Sequence, residues 1–447
     1  MDYRGLANDV LRQATERGAD GAEVLIVEDA SFSVQVRMRG VDTVKSAEEK
    51  RLGIRLCFGR RSATTATSDF SAAALARLLE DTAAMAKATA EDASAGLPDA
   101  DAMARGVPDL ALWDGAAGDV PLPERIGLAM RAEAAALDLD PRIVNSEGAE
   151  YGSGEAHIFF ASSQGFAGDY RSSWASLSVS PVAKDDGGMQ RDGWYSVKRR
   201  FPDLQAPDAV GRIAAERTLR RLGARKVPTQ EVPVVFDPDM AASLMRSLCG
   251  AASGSAIYRG ASFLVGKLGE RIAAPGIQVV DDGRMPGGLG SRPFDGEGLP
   301  TRRTVVMEDG ILASYLLDTY SARKLGLAST GNASRSVGQR PTVGPTNFYL
   351  APGPHSPQEI IRSVKRGLYI TEMIGFGVNQ VTGDYSRGAV GLWIENGELT
   401  FPVDEVTVAG NLNEMFRQIE MVGNDLEWRG SVAAPTLKIA RMTVAGA

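Results

Sequence analysis

Fifty glycines distributed over 447 residues constrain this chain more than any other feature. Glycine inside a helix or strand costs roughly 0.5–1 kcal/mol relative to alanine, yet it permits tight turns and close backbone approach. The composition therefore favours a turn-rich fold over a helical bundle. The stretch GFGVNQVTGDYSRGAVGLWIENGEL (375–399) concentrates the pattern: glycines every few residues, polar groups between them, then an aromatic strand. It has the density of a functional region but contains neither histidine nor cysteine.

The length exceeds one typical core, so two or three domains are expected. Leu6, Val10, Leu11 and Ala14 recur at helical spacing over 3–17. SFSVQVRMRG alternates apolar and polar side chains as a half-buried strand does, and LGIRLCFG (52–59) continues the sheet. Residues 71–90 read as a long helix, and 91–122, rich in Ala, Asp, Gly and Pro, as a surface excursion. Pro123 lies near the first turn of another helix, strand-like segments fill 142–184, and a helix spans 207–222. This order predicts an α+β fold: an N-terminal domain with an antiparallel sheet over 1–228, then a glycine-rich, strand-rich C-terminal domain over 229–447. ARKVPTQEVP (224–233) has the character of a linker. In the second half, Asp309-Gly310 within MEDGILASY marks a two-residue hairpin turn.

A net charge of −7 argues against a general nucleic-acid binder, although the local run VKRRF (197–201) is basic. The first residues form an amphipathic helix rather than a signal peptide, and no apolar run approaches the ~20 residues that span a bilayer. Cys57 and Cys249 show no paired spacing and read as buried, reduced thiols. A cytoplasmic protein is expected.

Histidine chemistry has only His157 and His355 to draw on. His157 lies in the strand AHIFF and His355 in the turn APGPHSPQE, and no G-x-S-x-G elbow accompanies either. The cysteines and histidines are too scattered for a closed zinc motif. Asp281, Asp282, Asp295 and Glu297 could hold a hard cation through oxygen, but turn carboxylates bonding backbone N–H groups are the more ordinary reading. MPGGLGSRPFDGEG (285–298) lacks the Lys-Ser/Thr ending of a P-loop.

Long strings in the second half carry more. ASFLVGKLGERI, SRPFDGEGLPTRRTVVMEDGILASYLLDTYSARKLGLASTGNA, NQVTGDYSRGAVGLWIENGEL, FPVDEVTVAGNL and MVGNDL span about 260–426. In that order they resemble the TldD/PmbA family, and within it the TldE (PmbA) branch. The first half is similar more loosely, through GIRLCFGRRSATTATSD and MQRDGWYSVKRR. The resemblance implies one subunit of a two-subunit TldD–TldE metalloprotease acting on unfolded or short peptides. In that assembly the TldD subunit carries a His-Glu-x-x-x-His helix and a later cysteine that bind zinc. Here Met245, Arg246 and Gly250 fall at the positions of that motif, and no cysteine answers around 344–353. The resemblance thus implies a non-catalytic partner with no metal or cofactor of its own, zinc being held by the TldD-like subunit. Asn379, Thr382, Asp384, Ser386 and Arg387 would line a peptide chamber, holding an extended peptide by strand addition, or form a rigid turn at the dimer interface. Two other readings stay open. One is a self-sufficient metallopeptidase using Asp281, Asp282, Asp295 or Glu297; the other is a peptide-binding regulatory homodimer.

Overall fold

The computed structural model describes residues 1–115 and 120–446. Its first half is built on seven antiparallel strands: β1 (Gly21–Arg37), β2 (Gly40–Phe58), β3 (Arg61–Thr67), β4 (Ile143–Ser162), β5 (Ala167–Asp185), β6 (Gly188–Arg191) and β7 (Trp194–Lys198). They lie in the order β3-β2-β1-β4-β5-β6, with β7 also on β5. Strict alternation along β1 separates the two faces of the sheet. Val24 and Ile26 are buried under α1 (Tyr3–Glu16) and α2 (Ala72–Ala88). Further along the same face, Val34 and Val36 are buried under α3 (Leu122–Leu137) and α4 (Pro207–Leu219). Leu25 and Val27 point the other way, into a cluster with Phe160, Phe294, Leu299 and Val337. That second face is where the C-terminal half docks.

The C-terminal half is organised by a ring of strands: β8 (Gln230–Phe236), β15 (Arg366–Ile374), β16 (Asp384–Glu395), β17 (Glu398–Asn411) and β20 (Leu437–Ala445). The path β17-β16-β15-β8-β20 is closed by pairing of β17 with β20, giving a five-stranded barrel, and β18 (Ile419–Val422) lies beside β20. Closure removes exposed sheet edges, the usual hazard of a strand-rich unit. Beside it stands a sheet in the order β11-β10-β9-β14-β19, from β9 (Val279–Asp282), β10 (Arg303–Glu308), β11 (Ile311–Leu312), β14 (Phe348–Leu350) and β19 (Val432–Ala433). A short ribbon joins β12 (Ala333–Ser334) to β13 (Thr342–Val343). One continuous core fills this half, and the apolar face of α5 (Pro238–Ala252) is part of it.

The α+β class, the antiparallel first sheet and the strand-rich second half agree with the sequence reading. Two segments differ from it. Residues 91–122, expected as a surface excursion, act as a strap, residues 116–119 lying outside the described residues. Met103 and Ala104 are buried between the halves, Ala104 N–H donates to Gly298 O at 2.9 Å, and Gly287 N–H donates to Leu110 O at 2.7 Å. The apolar residues that anchor the strap follow no period, so nothing local announces them. The 224–233 segment is likewise packed rather than loose. Val227 is buried, Arg225 N–H donates to Pro402 O at 3.2 Å, and the Arg225 guanidinium stacks 3.6 Å from the Phe401 ring centre.

Candidate functional site

The region of α5 and the 375–383 loop is assembled from local signals. Asp237 caps α5, its carboxylate accepting from Met240 N–H at 2.9 Å, and Pro238 occupies the first turn. The helix buries Ala241, Leu244, Met245, Leu248, Cys249 and Ala252, which leaves Arg246 and Gly250 exposed one turn apart. The 375–383 loop closes onto that exposed strip. Gln380 Nε2 donates to Ser247 O at 3.4 Å, Gln380 O accepts from Phe263 N–H at 2.9 Å, and a Cβ at Gly250 would lie 3.4 Å from Gln380 Nε2.

Met245, Arg246 and Gly250 therefore do not converge. Met245 is a core side chain, Arg246 is a cation and Gly250 offers no donor atom, so the three cannot substitute for imidazoles and a carboxylate. Cys249, the nearest thiol, is turned into the core, where burial and the neighbouring Asp281 push its pKa up to about 12.

The expected lining residues bond mostly to their own loop. Asn379 Oδ1 accepts from Val381 N–H at 2.9 Å and from Thr382 N–H at 3.3 Å. Thr382 Oγ donates to Asp384 Oδ2 at 2.6 Å, and Asn411 Nδ2 donates to Asp384 Oδ1 at 3.0 Å. These bonds hold the Asp384 carboxyl below its ordinary range. Ser386 N–H donates to Gly377 O at 2.7 Å, and Arg387 Nη2 reaches Met373 O at 3.4 Å while its Nε is buried without a partner. Strand addition has no room at β16, because it pairs with β15 on one side and β17 on the other. Both partners are its neighbours in sequence, so β16 is the middle strand of an antiparallel meander whether or not the barrel closes. What the loop offers instead is apolar: Phe376 is fully exposed, and Ile374 and Val381 are exposed beside it. The run IGFGVNQV contained that signal, as four large apolar residues in a polar, glycine-rich turn, three of them exposed.

The acidic candidates are spoken for individually. Asp281 accepts from Asn332 Nδ2 at 2.6 Å and from Thr346 N–H and Oγ–H at 2.8 Å each. Asp282 Oδ1 accepts from Arg284 N–H at 2.9 Å. Asp295 takes three backbone N–H groups, and Glu297 accepts from Thr319 N–H at 2.8 Å. Among the described residues no group of three or more His, Cys, Asp or Glu side chains is placed to hold a metal ion. His157 Nε2 lies 2.8 Å from Asp169 Oδ2 as an ordinary sheet contact, and His355 sits on a half-buried turn whose carbonyl accepts from Asn424 N–H at 2.8 Å. No helix among the described residues is long and apolar enough to cross a membrane.

Comparison with known proteins places the chain. Models of the PmbA/TldA metallopeptidase domains match in sequence: domain 1 over residues 22–86, the central domain over 116–222 and the C-terminal domain over 229–446. The chain is 39% identical over 428 residues to metalloprotease PmbA of Escherichia coli O157:H7, covering 96% of this chain and 93% of that one. It is 36% identical to the metalloprotease PmbA homolog of Haemophilus influenzae, covering 100% and 96%. A crystal structure named as a modulator of DNA gyrase, from Bacteroides thetaiotaomicron, superposes with a TM-score of 0.92 at 30% identity, each chain covered in full. TldE from Thermococcus kodakarensis shares the fold, with a TM-score of 0.89 at 21% identity over 99% of this chain and 100% of that one. The chain belongs to the PmbA/TldD family.

Proposed function

We propose that this chain is the TldE-like, non-catalytic subunit of a TldD–TldE metalloprotease that processes unfolded or short peptides in the cytoplasm. The observation that carries the reading is the chemistry of α5: a buried methionine, an exposed arginine and a glycine stand where the family resemblance calls for metal ligands. The family names imply a metal, and these residues do not fit one. Arg246 repels a cation, Gly250 has nothing to coordinate with, and the Cys249 thiol is buried and protonated. The hydrolytic step then belongs to the TldD-like partner, whose zinc would lower the pKa of a bound water to about 7.

The exposed apolar group Ile374, Phe376 and Val381, set beside the Arg246–Gly250 strip, supports a partner surface there. Large apolar side chains on a built turn are costly to leave in water and are normally covered. Asn379, Thr382, Asp384, Ser386 and Arg387 then act mainly by stiffening the loop that presents this surface, with Ser386 left open toward a peptide. The test is to mix the purified chain with its cognate TldD-like protein and a peptide substrate. Cleavage well above that of the TldD-like protein alone is expected, together with a stable complex on gel filtration. A mixture that cleaves no faster than the TldD-like protein by itself would overturn the reading.

A further inference from the structure

We propose that a cavity between the two halves of the chain binds a carboxylate with an apolar body, the Arg292 guanidinium being its charge partner. The cavity encloses about 300 Å³, enough for one amino-acid-sized ligand. One wall is the part of the first sheet that the helices leave uncovered, with Val27, Ile158, Phe160 and Tyr170; Phe294 and Val337 close it from the C-terminal half. Val27, Ile158 and Tyr170 are only part-buried, so the cavity reaches solvent.

Three arginines and two aspartates, Asp29 and Asp295, line this space; Arg51 pairs with Glu49 at 3.0 Å, whereas Arg292 and Arg335 have unused donors. Arg292 Nε and Nη2 are buried with no hydrogen-bond partner, and Arg292 makes no ion pair among the described residues. Asp295 lines the same cavity but is already engaged by the backbone N–H groups of Glu297 and Leu299 at Oδ1 (2.9 and 3.0 Å) and of Ala333 at Oδ2 (3.0 Å). The Arg335 side chain is 1% exposed. Its Nη1 donates to Glu23 Oε2 at 2.7 Å, while its Nε and Nη2 find no acceptor. Glu23 is also shared with Arg55, at 3.5 Å, so one carboxylate serves two guanidiniums.

Arg292 feels the charges of Asp281 and Asp295, and Arg335 that of Glu23, but buried N–H groups left without acceptors still carry a desolvation cost. A carboxylate supplies two acceptor oxygens in the plane that a guanidinium fork matches. The aromatic and aliphatic walls favour an acid with a hydrocarbon body over a hydrated inorganic anion. Two sources carry this chemistry: the C-terminal residue of a peptide and a free small acid. The site needs neither a partner subunit nor hydrolysis, so it stands or falls apart from the protease-subunit reading.

The test is calorimetric titration of the isolated chain with a short peptide ending in phenylalanine as the free acid, the same peptide amidated, and 3-phenylpropionate. The free-acid peptide or 3-phenylpropionate is expected to bind, the amide at least ~10-fold more weakly than the acid peptide, as loss of a charge-assisted pair requires. Tighter binding of the peptide acid assigns the site to peptide ends, and tighter binding of 3-phenylpropionate assigns it to free acids. Arg292→Gln should weaken the bound acid by a similar factor, and Arg292→Lys by less. Equal affinity for acid and amide peptides, or no binding of either acid, overturns the proposal. The acid–amide comparison uses the unaltered chain and does not depend on how the variants fold. An Arg292→Gln protein that melts normally and keeps full affinity overturns it as well.

Discussion

Cys249 and Gly250 are neighbours on α5 and face opposite worlds, the thiol in the core and the glycine in the open strip beneath Gln380. With its pKa pushed up to about 12, Cys249 carries negligible thiolate at neutral pH, and burial raises Cys57 too. Neither cysteine of the native chain should react with a disulfide reagent on mixing, and both should react once it is unfolded. At the start of the same helix, burial raises Asp237 to about 7, against the opposing pull of Arg217. Asp281, Asp295 and Glu297 are raised by burial as well. A carboxyl whose folded pKa lies above its unfolded value binds more protons in the fold. Its contribution is present below the unfolded value and is lost as pH rises through the folded one. The melting temperature should therefore fall as pH rises from about 5 to about 7.5. Asp237→Asn, which retains a capping side chain, should flatten that slope, and an unchanged slope would show that Asp237 does not titrate there.

At the scale of elements, short-range chemistry was readable and long-range closure was not. Asp309-Gly310 was expected to turn a hairpin, and both residues have positive φ, 48° and 75°, between β10 and β11. The alternation in β1 and the helical spacing of Val10 and Ala14 likewise mark the faces that are buried. By contrast, β17 meets β20 only when the ring closes, a pairing that nothing local encodes. β16 itself is flanked by its sequence neighbours β15 and β17, the latter across an Asn396-Gly397 turn, which leaves no edge for strand addition. The strap around Met103 and the guanidinium of Arg292 escaped as well, since each matters only through what a distant segment brings against it. The 375–383 loop holds its shape through close backbone contact, a Cβ at Gly377 running into Ser386 O. On that loop, Phe376→Asp should leave stability within about 0.5 kcal/mol, since the side chain touches little. It should weaken association with a TldD-like subunit by about tenfold or more, as removal of a central aromatic anchor does. Sedimentation of the mixed proteins reads both states.

For the molecule as a whole, the two halves are joined by the apolar cluster around Phe160 and Phe294 and by the buried ion set centred on Glu23. Glu23→Ala would strand Arg335 in a dry interface and leave Arg55 with only Glu297, at 3.8 Å. Breaking a buried pair in this way costs about 3–5 kcal/mol, and urea unfolding should register it as a lower midpoint or as separate melting of the two halves. The ring of strands carries a different consequence, one of timing. Gln230, at its first strand, is hydrogen-bonded into register with Val444, at its last. A ribosome delivers the first long before the second, so the opening strand must wait with one flank bare while everything between is translated. The amino-terminal sheet, complete by Lys198, is free to form meanwhile and to offer the waiting half a surface on which to assemble.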